Sequence, residues 1–128
     1  MCSKQKFFIC EHCGNMVGLI KDESVPMMCC GDEMTELIPN TVDASVEKHL
    51  PVAAVSGNNL SVQVGSTLHP MEDAHHIAFV YVETERGGQR KCLKVGEEPV
   101  LTFSFTNDKP TAVYAYCNLH GLWKTEIK

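Results

Sequence analysis

The chain has 128 residues and a formal net charge of −5 at pH 7, the size of a single domain or of a domain with a small appendage. Its acidic balance, with no basic run and no interleaving of aromatic and basic residues, excludes nucleic acid as an expected partner. Only Phe7, Phe8 and Ile9 form an apolar run before Cys10, so neither a signal peptide nor a membrane span is expected, and the seven cysteines are expected as metal ligands and free thiols in a reducing cytoplasm.

Residues 1–37 form the first predicted domain. They hold Cys2, Cys10, Cys13, Cys29 and Cys30, two short apolar runs (Phe7 to Ile9 and Met16 to Ile20) and the turn signals Gly14-Asn15 and Gly31-Asp32. A piece this small cannot fold on apolar burial alone; domains below roughly 40 residues need a metal, disulfides or association. Cys10-Glu11-His12-Cys13-Gly14 supplies a metal knuckle, two thiols three positions apart with a glycine for the turn that follows. Cys29-Cys30 is the unusual half, because adjacent side chains on extended backbone point to opposite sides. Binding one ion with both requires a local bend. Four thiolates suit zinc and iron equally, so spacing leaves the metal open.

Ile38-Pro39-Asn40-Thr41 is predicted as a short linker, opening a second domain over residues 38–128. From about residue 42 short alternating segments separated by turn signals predict an all-β sandwich. Leu60, Val62 and Val64 alternate after Gly57-Asn58-Asn59. The segment Ile77 to Val82 is apolar on both faces and is expected to lie centrally in its sheet. Gly87-Gly88 is expected to turn the chain into a strand at Cys92-Leu93-Lys94-Val95. Leu101, Phe103 and Phe105 alternate against polar neighbours, Asn107-Asp108-Lys109-Pro110 reads as a turn, and Val113, Ala115 and Cys117 share one face of the last long strand. No helix is predicted.

The second constellation is spread widely: His49, His69, His75, Cys117 and His120. The histidines are expected at strand ends or in loops, where sandwiches build their sites. Four imidazoles and one thiol exceed the four ligands of a structural zinc site and point to a redox metal with a position left for a substrate, iron first. Glu47 and Lys48 adjoin His49. A lysine about 5 Å from an incoming anion contributes about 3 kcal/mol at an effective dielectric near 20, enough to offset the acidic balance locally. His12 and His76 are expected away from this metal, Cys2 and Cys92 as free thiols, and Trp123 as packing at the site's edge.

Cys10-x-x-Cys13 with Cys29-Cys30, Glu47-Lys48-His49, His69-Pro70-Met71-Glu72-x-x-His75 and Cys117-Asn118-x-His120-Gly121, in this order, closely resemble the desulfoferrodoxin family, the two-iron form of superoxide reductase. The resemblance covers nearly the whole chain and departs at no ligand position. It implies a mainly β fold with a small desulforedoxin-like domain joined to an immunoglobulin-like sandwich, two non-haem irons per chain, and a homodimer. The first iron would be held by Cys10, Cys13, Cys29 and Cys30. The catalytic iron would be held equatorially by His49, His69, His75 and His120, with Cys117 axial. The implied reaction is one-electron reduction of superoxide to hydrogen peroxide, with Lys48 attracting superoxide and helping proton delivery, Glu47 binding the ferric iron after product leaves, and rubredoxin or a similar small iron protein as donor.

Overall fold

The computed structural model describes residues 4–128, which are mainly β; Cys2, expected as a free thiol, lies outside the described residues. The chain divides into two compact units, Met1–Ile38 and Pro39–Lys128. In the first, strand β1 (Lys6–Ile9) lies between β2 (Met16–Leu19) and, further along the chain, β5 (Thr35–Glu36), both antiparallel to it. The two-residue strands β3 (Met28–Cys29) and β4 (Asp32–Glu33) form a separate hairpin. Phe7, Cys10 and Met34 are its buried apolar residues. Three such side chains are far too few to offset the entropy of ordering this many residues, so the unit needs a crosslink.

The second unit begins with a single helical turn, α1 (Val46–His49), followed by β6 (Pro51–Ser56), β7 (Asn59–Val64), β8 (Ile77–Thr84), β9 (Gly87–Cys92), β10 (Val100–Ser104), β11 (Pro110–Cys117) and β12 (Gly121–Glu126). Two antiparallel sheets result, in the orders β10-β7-β6 and β12-β11-β8-β9, an immunoglobulin-like sandwich. Its core joins Leu60, Val62 and Val64 of β7 to Val80 and Val82 of β8, Phe103 of β10, and Val113, Ala115 and Cys117 of β11. Each set alternates along its strand, as a half-buried sheet face requires. The segment Ile77 to Val82 is interior to its sheet, as its two apolar faces predicted.

Alternation slips at one point. Tyr116 pairs with Phe79 but Cys117 with Ile77, so Ala78 is the extra residue of a bulge. The bulge returns Ile77 to the core face alongside Val80 and Val82, where strict alternation would put it on the other side.

Two expectations need correction, and a third gains detail. The hairpin between β8 and β9 turns at Glu85-Arg86, not at Gly87-Gly88, and its second strand ends at Cys92 where Cys92 to Val95 was predicted. That strand is polar and exposed along one sheet edge, so apolar alternation could not reveal it. A helix exists where none was predicted, and His49 ends it; four residues are too few to show a helical period. Finally, the predicted linker is not slack throughout. Asn40 takes a positive φ of 63°, its N–H donates to Leu122 O, and its side chain both donates to Lys124 O at 3.0 Å and accepts from Lys124 N at 2.8 Å.

α1 is too short to stand alone and is held from outside. The Glu47 carbonyl accepts hydrogen bonds from Thr67 N and Ser66 Oγ, and a Cβ at Gly65 would overlap that carbonyl. Only glycine lets the backbone after β7 approach so closely. Thus α1, the segment after β7, the start of β8 and the end of β11 meet at one pole of the sandwich. The β6–β7 and β8–β9 turns lie at the opposite pole.

Candidate metal centres

The first centre is built by two turns. β1 runs into the knuckle, where Cys10 N donates to Asn15 O and Gly14 N donates to Cys10 O; Gly14 has φ of 81°. The knuckle also turns its own N–H groups onto sulfur: Cys13 N lies 3.5 Å from Cys10 Sγ, and Asn15 N 3.4 Å from Cys13 Sγ. The adjacent pair is handled by the β3–β4 hairpin. Cys29 ends β3, while Cys30 and Gly31 form its turn with φ of 53° and 80°. Consecutive left-handed residues are what a tight two-residue hairpin demands, and this is the bend that lets neighbouring cysteines face one point.

The four sulfurs lie within 4.8 Å of one another, with Cys13 Sγ 3.6 Å and Cys30 Sγ 4.0 Å from Cys29 Sγ. Four thiolates at metal–sulfur bonds of about 2.3 Å in a tetrahedron stand about 3.8 Å apart, so the set fits a metal. Electrostatics agree. The Cys13 backbone N–H draws the Cys10 thiol down to about 6, and hydrogen bonding with the Cys13 and Cys10 side chains pushes Cys30 up to about 12. Cys10 thus ionises readily while Cys29 and Cys30 resist; a bound cation favours the thiolate form. His12, within the knuckle, instead pairs with Asp32 at 2.5 Å.

The second centre sits at the α1 pole. His49, His69, His75 and Cys117 bring one donor atom each within 4.8 Å of one another. His49 and His69 are each only 2% exposed and Cys117 is fully buried. Two imidazoles are oriented by backbone carbonyls: His49 Nδ1 lies 2.6 Å from Ser45 O and His69 Nδ1 2.7 Å from Pro70 O. A carbonyl only accepts, so each Nδ1 carries the proton and each Nε2 presents a lone pair. Those two Nε2 atoms face each other at 3.1 Å.

His120, on the turn between β11 and β12, is not among the four that share this mutual distance. Its Nδ1 nevertheless lies 3.1 Å from His49 Nε2 and 3.8 Å from Cys117 Sγ. His75 Nε2 is buried with no hydrogen-bond partner among the described residues.

Lone pairs opposed at contact distance and an orphaned buried nitrogen are unfavourable in an empty protein and favourable around a cation. Metal–nitrogen bonds of about 2.1 Å place neighbouring nitrogens about 3.0 Å apart at right angles and about 3.4 Å in a tetrahedron; the observed 3.1 Å favours the more crowded set. At three of the imidazoles protonation competes weakly. Burial pushes His69 down to about 4 and lowers His49 and His75 as well. Burial raises the Cys117 thiol, while the N–H groups of Leu119 and His120 pull it back.

Glu47 and Lys48 are exposed on α1. Burial is the main cause of the lowering at His49 and His75, and the Lys48 charge adds to it at both. His76 turns away, its Nδ1 on Glu72 O at 3.0 Å, and Cys92 is free and exposed. Trp123 is more than edge packing: it is 3% exposed and stacks on His49 at 5.1 Å, with Nε1 donating to His120 O. Asn118 escaped notice too, although it lies in the quoted motif. It joins the His75 segment to the Cys117 turn. Ser45 contributes only a carbonyl, for which sequence carries no signal.

Comparison with known proteins matches this arrangement. The Desulfoferrodoxin family model matches residues 41–126. A desulfoferrodoxin from Syntrophotalea carbinolica is 39% identical over 126 residues, covering 98% of this chain and 99% of that one. Among solved structures, the superoxide reductase from Treponema pallidum superposes with a TM-score of 0.82 at 35% identity, covering 97% of this chain and all of that chain. The one-iron superoxide reductase from Giardia intestinalis matches 64% of this chain and 98% of its own, at 31% identity and a TM-score of 0.55. With both thiol and imidazole clusters assembled and similarity running almost end to end, the chain belongs to the desulfoferrodoxin family.

Proposed function

We propose that the chain is a superoxide reductase, converting superoxide, one electron and two protons to hydrogen peroxide at the second centre. The observation that carries this is the convergence of three histidine donors and a buried thiol, with His120 alongside; the exposed cation Lys48 adjoins His49 on α1. Iron held by His49, His69, His75, His120 and Cys117 supplies the one-electron chemistry when bound.

The chain's own residues do the rest. Lys48 gives an incoming anion a favourable local field on a protein of net charge −5, and its exposure keeps that field sensitive to salt. Lys48 is also the proton-bearing group best placed to hold water at the mouth of the site. Glu47, exposed on α1 beside Lys48, is the carboxylate that would bind the iron, were it present, once product has left. Ser45 and Pro70 carbonyls fix the tautomers of His49 and His69, keeping both Nε2 atoms as donors. The N–H groups of Leu119 and His120 stabilise negative charge on Cys117.

By the same reading the four-thiol centre holds a second iron, structural or electron-transferring. A rubredoxin-type protein donates electrons, and the chain works in the cytoplasm as a homodimer with domains over 1–37 and 38–128. Likeness to proteins named superoxide reductase supports the reductase reading. The test is to mix the reduced, iron-loaded chain with superoxide and follow both products. Peroxide without oxygen is expected; stoichiometric oxygen would show dismutation and sink the proposal.

A further inference from the structure

The ligand His75 is held differently from its neighbours. His49 and His69 have their rings anchored through Nδ1 to carbonyls, whereas no such carbonyl anchor is found for the His75 ring among the described residues, and its buried Nε2 has no partner there. Its placement therefore depends on the backbone that carries it. That backbone is a tight loop in which Glu72 and His75 exchange N–H···O bonds of 2.9 and 3.1 Å.

Asn118 grips this loop from the opposite strand. Its Oδ1 accepts from His76 N at 2.9 Å and its Nδ2 donates to Ala74 O at 3.0 Å. Those two atoms belong to the two peptide groups flanking His75, so one side-chain amide holds both. The Asn118 backbone N–H also donates to His76 O at 3.2 Å. The β11–β8 ladder, whose last register pair is Cys117 with Ile77, is thus carried past the point where β11 turns away. A side-chain amide stands in for the next peptide. Because Asn118 directly follows Cys117, the same residue fixes the thiol-bearing strand end against the His75 loop.

We infer that Asn118 is a positioning residue of the second centre, setting the separation of the His75 and Cys117 donors and hence the strength and electronic character of metal binding there. This rests on the ligand reading above. Outer partners that orient metal ligands typically contribute about 10- to 100-fold to metal affinity. The isostere Asn118→Asp keeps the acceptor for His76 N and loses the donor to Ala74 O, so it retains half of the grip; Asn118→Ala keeps none.

The experiment uses the full chain loaded with Fe2+. It measures iron retention at each centre against a chelator, the thiolate-to-iron absorption of the second centre, and its reduction potential, with the four-thiol spectrum as internal control. Expected are roughly 10- to 100-fold weaker retention at the second centre in Asn118→Ala, an intermediate loss in Asn118→Asp, a shifted thiolate band and potential in both, and an unchanged first centre. Wild-type retention, band and potential in Asn118→Ala would overturn the inference. So would equal losses at both centres in both variants, the mark of general destabilisation; if Asn118→Ala does not fold, Asn118→Asp alone decides by the same readouts. An unsubstituted chain that takes up iron only at the four-thiol centre would instead overturn the ligand reading itself.

Discussion

The two centres are made by opposite routes. The four-thiol centre is local, its ligands all between Cys10 and Cys30, presented by two turns of a unit in which, among the described residues, only Phe7, Cys10 and Met34 are buried. Cys13 and Cys30 remain exposed. The imidazole–thiol centre gathers residues from α1, the segment after β7, the loop before β8 and the end of β11, and its His49, His69 and Cys117 are buried by a sandwich with an extensive apolar core, of which Cys117 is itself a part. In the first centre a metal holds a small fold together; in the second a fold holds a metal. Binding energy is folding energy in the one and is available to tune chemistry in the other.

The sharpest way to break this contrast is to remove both metals by chelation. Amide protection of β1 and β2 is expected to collapse, while β8 and β11 keep theirs, as read by hydrogen exchange; joint collapse would show that the sandwich also depends on its metal. Next in size, Cys117→Ser should abolish the thiolate-to-iron absorption of the second centre and most superoxide reduction, leaving the four-thiol spectrum intact. An unchanged band would remove Cys117 from the site. Lys48→Ala should slow the encounter with superoxide about tenfold at low salt, with the difference shrinking as ionic strength rises. Stopped-flow kinetics across a salt series decides it.

A further effect, absent at neutral pH, concerns the sandwich alone. Tyr114 is 2% exposed, and burial, followed by the nearby Glu83 charge, pushes its phenol up from 10.0 to about 12. The unfolded chain therefore gives up this proton first. The stability it represents, on the order of 3 kcal/mol, is whole below pH 10 and lost as pH rises toward 12. Tyr114→Phe should flatten that alkaline limb in denaturant titrations of the sandwich, with no change in the four-thiol spectrum at neutral pH.

Much of both centres was legible beforehand, for different reasons. The cysteine pairs announce themselves by spacing, and even the awkwardness of Cys29-Cys30 correctly demanded a bend, supplied by left-handed Cys30. The histidines were identified by residue type and motif, but nothing in their spacing revealed that Ser45 and Pro70 carbonyls set the tautomers, because backbone acceptors are independent of side-chain identity. In the sandwich, β7, β8 and β11 were readable from apolar residues on their core faces. β9 was misplaced because Gly87 to Cys92 carries no apolar pattern, and α1 was missed because one helical turn has no period. The bulge at Ala78 shifted the faces of β8 without any local signal in the residues.

Trp123 is the only tryptophan in the chain, and it lies face to face with the imidazole of His49. Its emission is therefore a built-in optical gauge of one centre. On the proposed reading, iron bound at His49 should quench it by short-range energy and electron transfer, so filling of the second centre can be followed by fluorescence without a label, while an iron-loaded four-thiol centre is read separately by its colour.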